Sequence, residues 1–283
     1  EKYLYSKELE SIKKSNRFRT RELFDDNLVD LASNDYLGLS TNKTLFQNAY
    51  ENILKEKYHS PKASMLVNGY SKIHKKFEDR LCEVNGFEAG VIVGSGFLAN
   101  ISMIEALCRK NDTLFIDEEY HASGILATKL LKPEQVIIFK HNDFKDLEKK
   151  ISTNQRTGRN IIAIEGVYSM GGDLAPIEIF QIADEKKSIL IVDEAHSFGV
   201  IGDNLLGIFD YYKIKPTQYH VKMGTLGKAY GSYGAYILAS KQIIDFLINR
   251  AKPIIYSTAP SLFDTALANE SLDFIIKNKD ILK

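Results

Sequence analysis

Seven short apolar runs, separated by polar turns and by segments of helical periodicity, dominate the chain from residue 88 onward. The runs cover residues 89–93, 113–116, 135–139, 160–164, 188–192, 220–223 and 234–238. Several are almost wholly aliphatic, as strands are when helices cover both faces of a sheet, whereas a sheet with one wet face would alternate. The helical segments between them supply the crossovers that parallel strands require. The sequence therefore predicts an α/β fold with a seven-stranded, mostly parallel sheet and helices on both faces.

The two ends of the chain differ from this central pattern. Residues 3–21 carry isolated aliphatic side chains among charges, which indicates a short amphipathic helix or an arm. Residues 260–283 have helical character. We therefore expect three parts: an N-terminal arm or segment over 1–40, a large domain over 41–260, and the start of a connection to a C-terminal domain over 261–283.

Composition excludes several classes of function. The 37 basic and 37 acidic residues cancel, so no net charge attracts nucleic acid or an anionic membrane surface. Cys82 and Cys108 lack a CxxC spacing and neighbouring ligands, so neither a metal site nor a disulfide framework is expected. The chain has no apolar run of the roughly 20 residues needed to span a bilayer, and its first 20 residues lack a signal-peptide centre. We expect a cytoplasmic protein.

Polar side chains follow several predicted strands, at the edge where parallel sheets bind their ligands. Asp193 leaves a buried strand directly, so its carboxylate needs a cation or a hydrogen-bond donor to offset the loss of water. Lys228 lies among small residues after the next strand, and an amine partly removed from water suits Schiff-base chemistry. Taken alone, Lys228 is equally compatible with being a solvated surface lysine. His121, taken alone, is compatible with being an ordinary polar side chain with no catalytic role.

A phosphate cradle is indicated by the motif GSGF at residues 94–97, which opens a helix with free backbone amides. Taken alone, such a glycine turn is more often structural. Pyridoxal 5′-phosphate needs an amine, an acid partner for its ring nitrogen, a donor for its phenolic oxygen, a stacking surface and a phosphate cradle. These needs are matched, in that order, by Lys228, Asp193, His196, His121 and the helix start at Gly96.

Eight motifs in the chain resemble, in the same order, those of the α-oxoamine synthases among the fold-type I pyridoxal-phosphate enzymes. They are SNDYLGLS at 33–40, VNGYS at 67–71, GSGF at 94–97, HAS at 121–123, EGVYSM at 165–170, VDEAH at 192–196, TLGK at 225–228 and YST at 256–258. The resemblance covers nearly the whole chain, and so many ordered motifs make it specific. It implies that the large domain is the one that binds pyridoxal 5′-phosphate.

The resemblance also implies roles for residues around the cofactor ring. Lys228 binds the cofactor covalently, and Asp193 pairs with the ring nitrogen. His196 and Ser169 reach the phenolic oxygen. His121 stacks on the ring and meets the substrate, so the expected catalytic residues are Lys228, Asp193 and His121.

The phosphate of the cofactor is expected to meet two groups of residues. The resemblance implies that the amides of Gly96 and Phe97 hold it together with Thr225. Ser257 and Thr258 are implied to come from a neighbouring subunit, and the alternative for this pair is a local turn or a helix cap. The resemblance therefore implies a homodimer with shared active sites.

Within this family the chain is most similar to the members of biotin biosynthesis that condense L-alanine with a pimeloyl thioester. The acyl donor is then a CoA or an acyl-carrier-protein thioester. Two alternatives stay open. One is another α-oxoamine synthase that uses glycine with acetyl-CoA or serine with a long acyl chain, and the other is an inactive cofactor-binding paralogue.

The chain departs from the family pattern in two places. Residues 60–65 read SPKASM where relatives often have a glycine-rich stretch. Family members also carry a C-terminal small domain with an arginine for the amino-acid carboxylate, and we expect that domain to be missing from this chain, which ends at Lys283. Arg17, which precedes an aromatic residue, is the expected N-terminal arginine for the same carboxylate; a solvated surface charge is the alternative.

Overall fold

The computed structural model describes residues 4–282, which divide into two compact units with a boundary after Ser33. In the first unit, helix α1 (Ser6–Lys14) is followed by an exposed segment without regular structure. The predicted N-terminal helix is confirmed for these nine residues, whereas Tyr3, where that prediction began, lies outside the described residues. No residue of α1 is buried.

The second unit, from Asn34 onward, contains the predicted seven-stranded sheet. Its strands are β1 (Ala89–Val93), β2 (Thr113–Asp117), β3 (Val136–Phe139), β4 (Asn160–Glu165), β5 (Ile189–Asp193), β6 (His220–Thr225) and β7 (Ala235–Ala239). They lie in the order β1-β7-β6-β5-β4-β2-β3. Strand β7 pairs antiparallel with both of its neighbours and all other pairs are parallel, so the mostly parallel sheet is confirmed.

Ten helices of the described residues accompany the sheet. They are α2 (Lys43–Leu54), α3 (Lys72–Asn85), α4 (Gly96–Leu107), α5 (Ala122–Thr128), α6 (Phe144–Thr153), α7 (Ile177–Glu185), α8 (Ile208–Tyr211), α9 (Lys241–Arg250), α10 (Lys252–Ile255) and α11 (Leu262–Leu282). A π-helical turn, Met65–Gly69, precedes α3. Helix α11 packs against α2 and α3. Within residues 4–282, no helix combines the length and the apolar character needed to cross a membrane.

Both faces of the sheet are buried, as the aliphatic runs predicted. In β4, Ile162 and Ile164 belong to one apolar cluster and Ile161 and Ala163 to the other. The first cluster includes side chains of α3, α7 and α11, and the second includes side chains of α4, α9 and α10. Because successive residues of a strand point to opposite faces, this alternation places helices on both sides of β4.

The strand register brings the polar strand ends together at one edge. Glu165 at the end of β4 pairs with Asp193 at the end of β5, and Asp193 pairs with Met223 of β6. Thr225, two residues further along β6, pairs with Ala235 of β7. The carboxyl ends of three neighbouring strands therefore present their side chains at the same place.

His141, which follows β3, links the end of β2 to the loop after β4. Its Nδ1 lies 2.9 Å from Asp117 Oδ1 at the end of β2, and its Nε2 lies 2.7 Å from Asp173 Oδ2 in the loop after β4. Its ring packs edge-on against Tyr168 in that loop, at 4.4 Å between ring centroids. Partial burial alone would lower the pKa of His141, but the hydrogen bonds and charges of Asp117 and Asp173 outweigh it and raise that pKa.

This linkage predicts a pH-dependent contribution to stability. Because the folded-state pKa of His141 is raised above about 6.5, the contribution is fully present below that pH and is lost as the pH rises through the raised pKa. We expect the difference in unfolding free energy between the wild type and His141→Gln, from urea titrations at pH 5 to 10, to shrink toward the alkaline end. The exposed His59, changed to Gln, is the control. A constant difference would contradict the linkage.

Candidate active site

Lys228 stands at the centre of the candidate site, in the turn after β6. Its Nζ lies 2.5 Å from His196 Nε2, and His196 Nδ1 lies 2.6 Å from the Tyr36 hydroxyl. Burial lowers the pKa of Lys228, although the nearby carboxyl groups of Asp193 and Glu165 act in the opposite sense. Burial, helped by the charge of Lys228, also lowers the pKa of His196 to about 4. The imidazole is therefore neutral at pH 7, and the amine is easier to deprotonate than an ordinary lysine.

Asp193 is a buried carboxyl group at the end of β5. Its Oδ2 accepts a hydrogen bond from Asn100 Nδ2 at 3.0 Å, and its Oδ1 accepts one from the backbone amide of Ala195 at 3.0 Å. Burial raises the pKa of Asp193, while these donors and the charges of Lys228 and His121 lower it less strongly. Both hydrogen-bond donors to Asp193 are neutral amides. A cationic partner would therefore stabilise the charged form of this carboxyl group further.

Asn100 was not identified from the sequence. It lies in α4, one turn after Gly96, and its Oδ1 accepts a hydrogen bond from the Tyr120 hydroxyl at 2.7 Å. Its Nδ2 donates to Ser123 Oγ at 2.9 Å as well as to Asp193, and Ser123 Oγ lies 2.7 Å from His121 Nδ1. One amide therefore connects the buried carboxyl group to the exposed His121. An asparagine within a mostly apolar helix was the available signal.

Glu165 is the second buried carboxyl group of the site. It lies beside Asp193 in the β4–β5 register, and its Oε1 has no hydrogen-bond partner among the described residues. Burial first, and the charge of Asp193 second, raise the pKa of Glu165 to about 8. Two neighbouring carboxylates cannot both be charged cheaply in a buried site. Glu165 therefore keeps its proton at neutral pH, and Asp193, which accepts two hydrogen bonds, is the better placed of the two to carry a negative charge.

The predicted phosphate cradle lies at the start of α4. Ser95 caps this helix, and its Oγ accepts a hydrogen bond from the Leu98 amide at 3.3 Å. A Cβ atom added to Gly96 would lie 3.9 Å from Thr225 Cβ, so the helix start and the end of β6 are in contact distance. Phe97 is partly exposed beside them. The structure thus brings together three of the predicted phosphate residues, Gly96, Phe97 and Thr225.

Ser257 and Thr258 lie elsewhere, in the loop between α10 and α11. Thr258 is exposed and Ser257 is half-buried. The next amide, of Ala259, donates to the Ala63 carbonyl oxygen at 3.0 Å. No hydrogen bond recorded within residues 4–282 joins this pair to Lys228, so their role stays a prediction.

Two further predicted residues are exposed. Ser169 lies in the loop after β4, close in sequence to Tyr168, against which His141 packs. Arg17 belongs to the N-terminal unit, where its Nε donates to Ser15 Oγ at 3.1 Å. The roles assigned to Ser169 and Arg17 stay predictions.

A buried ion pair supports the strand-end loop that contains the site. Glu194, next to Asp193, accepts hydrogen bonds from the Ile208 amide and the Ser197 hydroxyl. Lys222 Nζ lies 3.6 Å from Glu194 Oε1 and donates to Asn85 Oδ1 at 2.8 Å. Both side chains are inaccessible to solvent, and burial lowers the pKa of Lys222. Removing one partner of such a pair leaves an uncompensated buried charge, so the pair constrains the loop strongly.

Comparison with known proteins identifies the family of this chain. Residues 26–283 match the family described as aminotransferase class I and II. An 8-amino-7-oxononanoate synthase of Helicobacter pylori is 53% identical over 281 residues, covering 99% of this chain and 75% of the relative. One of Geotalea daltonii is 36% identical over 285 residues, covering 93% of this chain and 70% of the relative.

Two solved structures share the fold. A serine palmitoyltransferase from S. paucimobilis superposes with a TM-score of 0.86 at 22% identity, covering 99% of this chain and 77% of that one. The 8-amino-7-oxononanoate synthase of Francisella tularensis superposes with a TM-score of 0.73 at 28% identity, covering 90% of this chain and 71% of that one. The chain therefore belongs to the aminotransferase class I and II family of pyridoxal-phosphate enzymes and, within it, to the α-oxoamine synthases, the acyltransferases that include the 8-amino-7-oxononanoate synthases.

Proposed function

We propose that this enzyme condenses L-alanine with a pimeloyl thioester, with loss of carbon dioxide, to give 8-amino-7-oxononanoate for biotin synthesis. The names of the relatives in Helicobacter pylori and Geotalea daltonii support this product. The observation that carries the proposal is the position of Lys228, whose Nζ lies 2.5 Å from His196 Nε2 at the sheet edge where β5 ends in the buried Asp193. The acyl donor is a CoA or an acyl-carrier-protein thioester.

The residues of the site fit pyridoxal 5′-phosphate. Asp193 is buried and receives hydrogen bonds only from neutral groups within the described residues, so a protonated ring nitrogen would supply the missing cation. Lys228 supplies an amine of lowered pKa close to that carboxyl group. The start of α4 beside Thr225 supplies backbone amides and a hydroxyl for a phosphate.

Each residue around the ring then has a defined task. Lys228 holds the cofactor covalently and moves a proton at the α-carbon of the amino acid. Asp193 keeps the ring nitrogen positively charged, because an adjacent carboxylate favours the protonated form at low dielectric. His196 and Ser169 hold the phenolic oxygen, and His121 covers the ring and meets the substrate. When bound, the cofactor supplies the electron sink that makes the α-carbon of alanine nucleophilic.

The remaining tasks are binding tasks. Gly96, Phe97 and Thr225 hold the phosphate from one subunit, and Ser257 and Thr258 hold it from the partner. In the overall reaction the α-carbon–hydrogen bond of alanine breaks, a carbon–carbon bond forms to the acyl carbonyl carbon, and the carbon–sulfur bond breaks. The thiolate leaves as the thiol with one proton, and the alanine carboxylate leaves as carbon dioxide and is replaced by a proton on the α-carbon. The α-hydrogen supplies one of these two protons and water supplies the other. Arg17 binds that carboxylate before it leaves.

A homodimer is proposed because of the surface around Ser257 and Thr258. Tyr256 is 80% exposed and Val67 is 76% exposed, which is unusual for large apolar side chains. They lie in two neighbouring segments, since α10 contacts the π-helical turn at 65–69. A second copy of the chain related by a two-fold axis would cover this surface and would place each copy's Ser257 and Thr258 at the other's phosphate.

The first test of the proposed function concerns Lys228 and the amino-acid substrate. Borohydride reduction should attach the cofactor to Lys228 alone, and Lys228→Ala should lower turnover at least about 10²-fold, because proton transfer by a positioned side chain contributes that much or more. Lys241→Ala, an exposed lysine paired with Asp245, is the control and should leave turnover unchanged. Of alanine, glycine and serine, only alanine should be consumed rapidly with pimeloyl-CoA. Modification of another lysine, or preference for glycine or serine, would contradict the proposal.

The shared active site is tested by mixing two inactive variants. Lys228→Ala and Thr258→Ala subunits should form heterodimers in which one site carries both lesions and the other carries none. Activity should therefore rise well above the sum of the separate variants after subunit exchange, measured as thiol release. Exchange proven by native mass spectrometry without any gain in activity would mean that each chain builds its own phosphate site.

A further inference from the structure

Tyr36 and His196 continue the line of hydrogen bonds that starts at Lys228. Lys228 Nζ lies 2.5 Å from His196 Nε2, and the opposite ring nitrogen, Nδ1, lies 2.6 Å from the Tyr36 hydroxyl. That hydroxyl also lies 3.2 Å from Asn34 Oδ1. Tyr36 is 41% exposed, so the line begins at the half-buried amine and ends at solvent. The sequence motif at 33–40 contains Tyr36, and the proposed function gives it no task.

The partners of the line determine the direction of its hydrogen bonds. An amide oxygen can only accept a hydrogen bond, so the Tyr36 hydroxyl donates to Asn34 Oδ1. The phenolic oxygen is then the acceptor for His196 Nδ1–H. Because His196 is neutral at pH 7, its other nitrogen, Nε2, carries a lone pair, and this lone pair faces Lys228. Each group of the line is thus poised to receive a proton from the side of Lys228.

We propose that His196 and Tyr36 form a relay that carries a proton from Lys228 to solvent. The ammonium of Lys228 gives a proton to His196 Nε2, the Nδ1–H proton of His196 passes to the Tyr36 oxygen, and the original Tyr36 hydroxyl proton passes to water beside Asn34. Three bonds to hydrogen break and three form, so the net change is a neutral amine at Lys228 and one hydrated proton.

The relay accounts for two features of the site. It removes the proton from Lys228 without leaving a positive charge on His196, and burial disfavours the charged form of that imidazole. It also leaves His196 with its hydrogen on Nε2, so the imidazole becomes a donor toward the side where Lys228 lies. The inference rests on the proposed function, in which Lys228 is the reacting amine, and it makes Tyr36 a positioning and proton-transfer residue.

The histidine tautomer tests the relay directly, in the protein freed of cofactor. Nitrogen-15 NMR at pH 7 should show wild-type His196 with its hydrogen mainly on Nδ1. Tyr36→Phe keeps the aromatic ring and removes only the hydroxyl, so it should shift His196 toward the Nε2–H form. Tyr211→Phe, an exposed tyrosine on α8, is the matched control and should not change the His196 signals. A wild-type His196 with its hydrogen on Nε2 would overturn the relay, whether or not the variant folds.

A second measurement separates the relay from the role of Lys228. Capture of pyridoxal phosphate by the cofactor-free protein, followed by visible absorbance, should be about tenfold slower or more in Tyr36→Phe than in the wild type or in Tyr211→Phe. An unchanged capture rate in Tyr36→Phe overturns the relay while leaving the role of Lys228 intact. Attachment of the cofactor to a lysine other than Lys228 overturns the proposed function instead.

Discussion

The hydrogen bond from Asn100 to the buried carboxyl group of Asp193 is the interaction around which this site is arranged. A carboxylate removed from water costs several kcal/mol unless donors or cations replace its hydration. Asn100 and one backbone amide meet only part of that need, since burial still raises the pKa of Asp193. The neighbouring Glu165 offers no positive charge to Asp193 and keeps its own proton, with a pKa of about 8. The site is therefore built to receive a positive charge.

The fold and the centre of the site could be predicted because their signals are local. Aliphatic runs such as that of β5 mark strands buried on both faces, and all seven predicted runs are strands. The rule that ligands bind at the carboxyl ends of parallel strands then made Asp193 and Lys228 the candidates for the site. In the structure they lie at one edge because β5 and β6 are neighbouring parallel strands.

The remaining parts of the site depend on contacts between distant segments, which no local pattern encodes. Asn100 reaches Asp193 across 93 positions of sequence, and Lys222 reaches Asn85 across 137. Tyr36 meets His196 across 160 positions. The only trace of these contacts was a polar residue in a mostly apolar helix, as at Asn100, or a lysine inside a strand, as at Lys222. Such residues mark a buried partner without identifying it.

The central claim is that Asp193 is an anion that needs a cation, and the protonation of the cofactor's ring nitrogen tests it most directly. Pyridoxal phosphate labelled with nitrogen-15 in the ring should show a protonated nitrogen when bound to the wild type at pH 7. In Asp193→Asn, which keeps nearly the same volume, the ring nitrogen should be neutral. A neutral ring nitrogen in the wild type, or a protonated one in both proteins, would contradict the account.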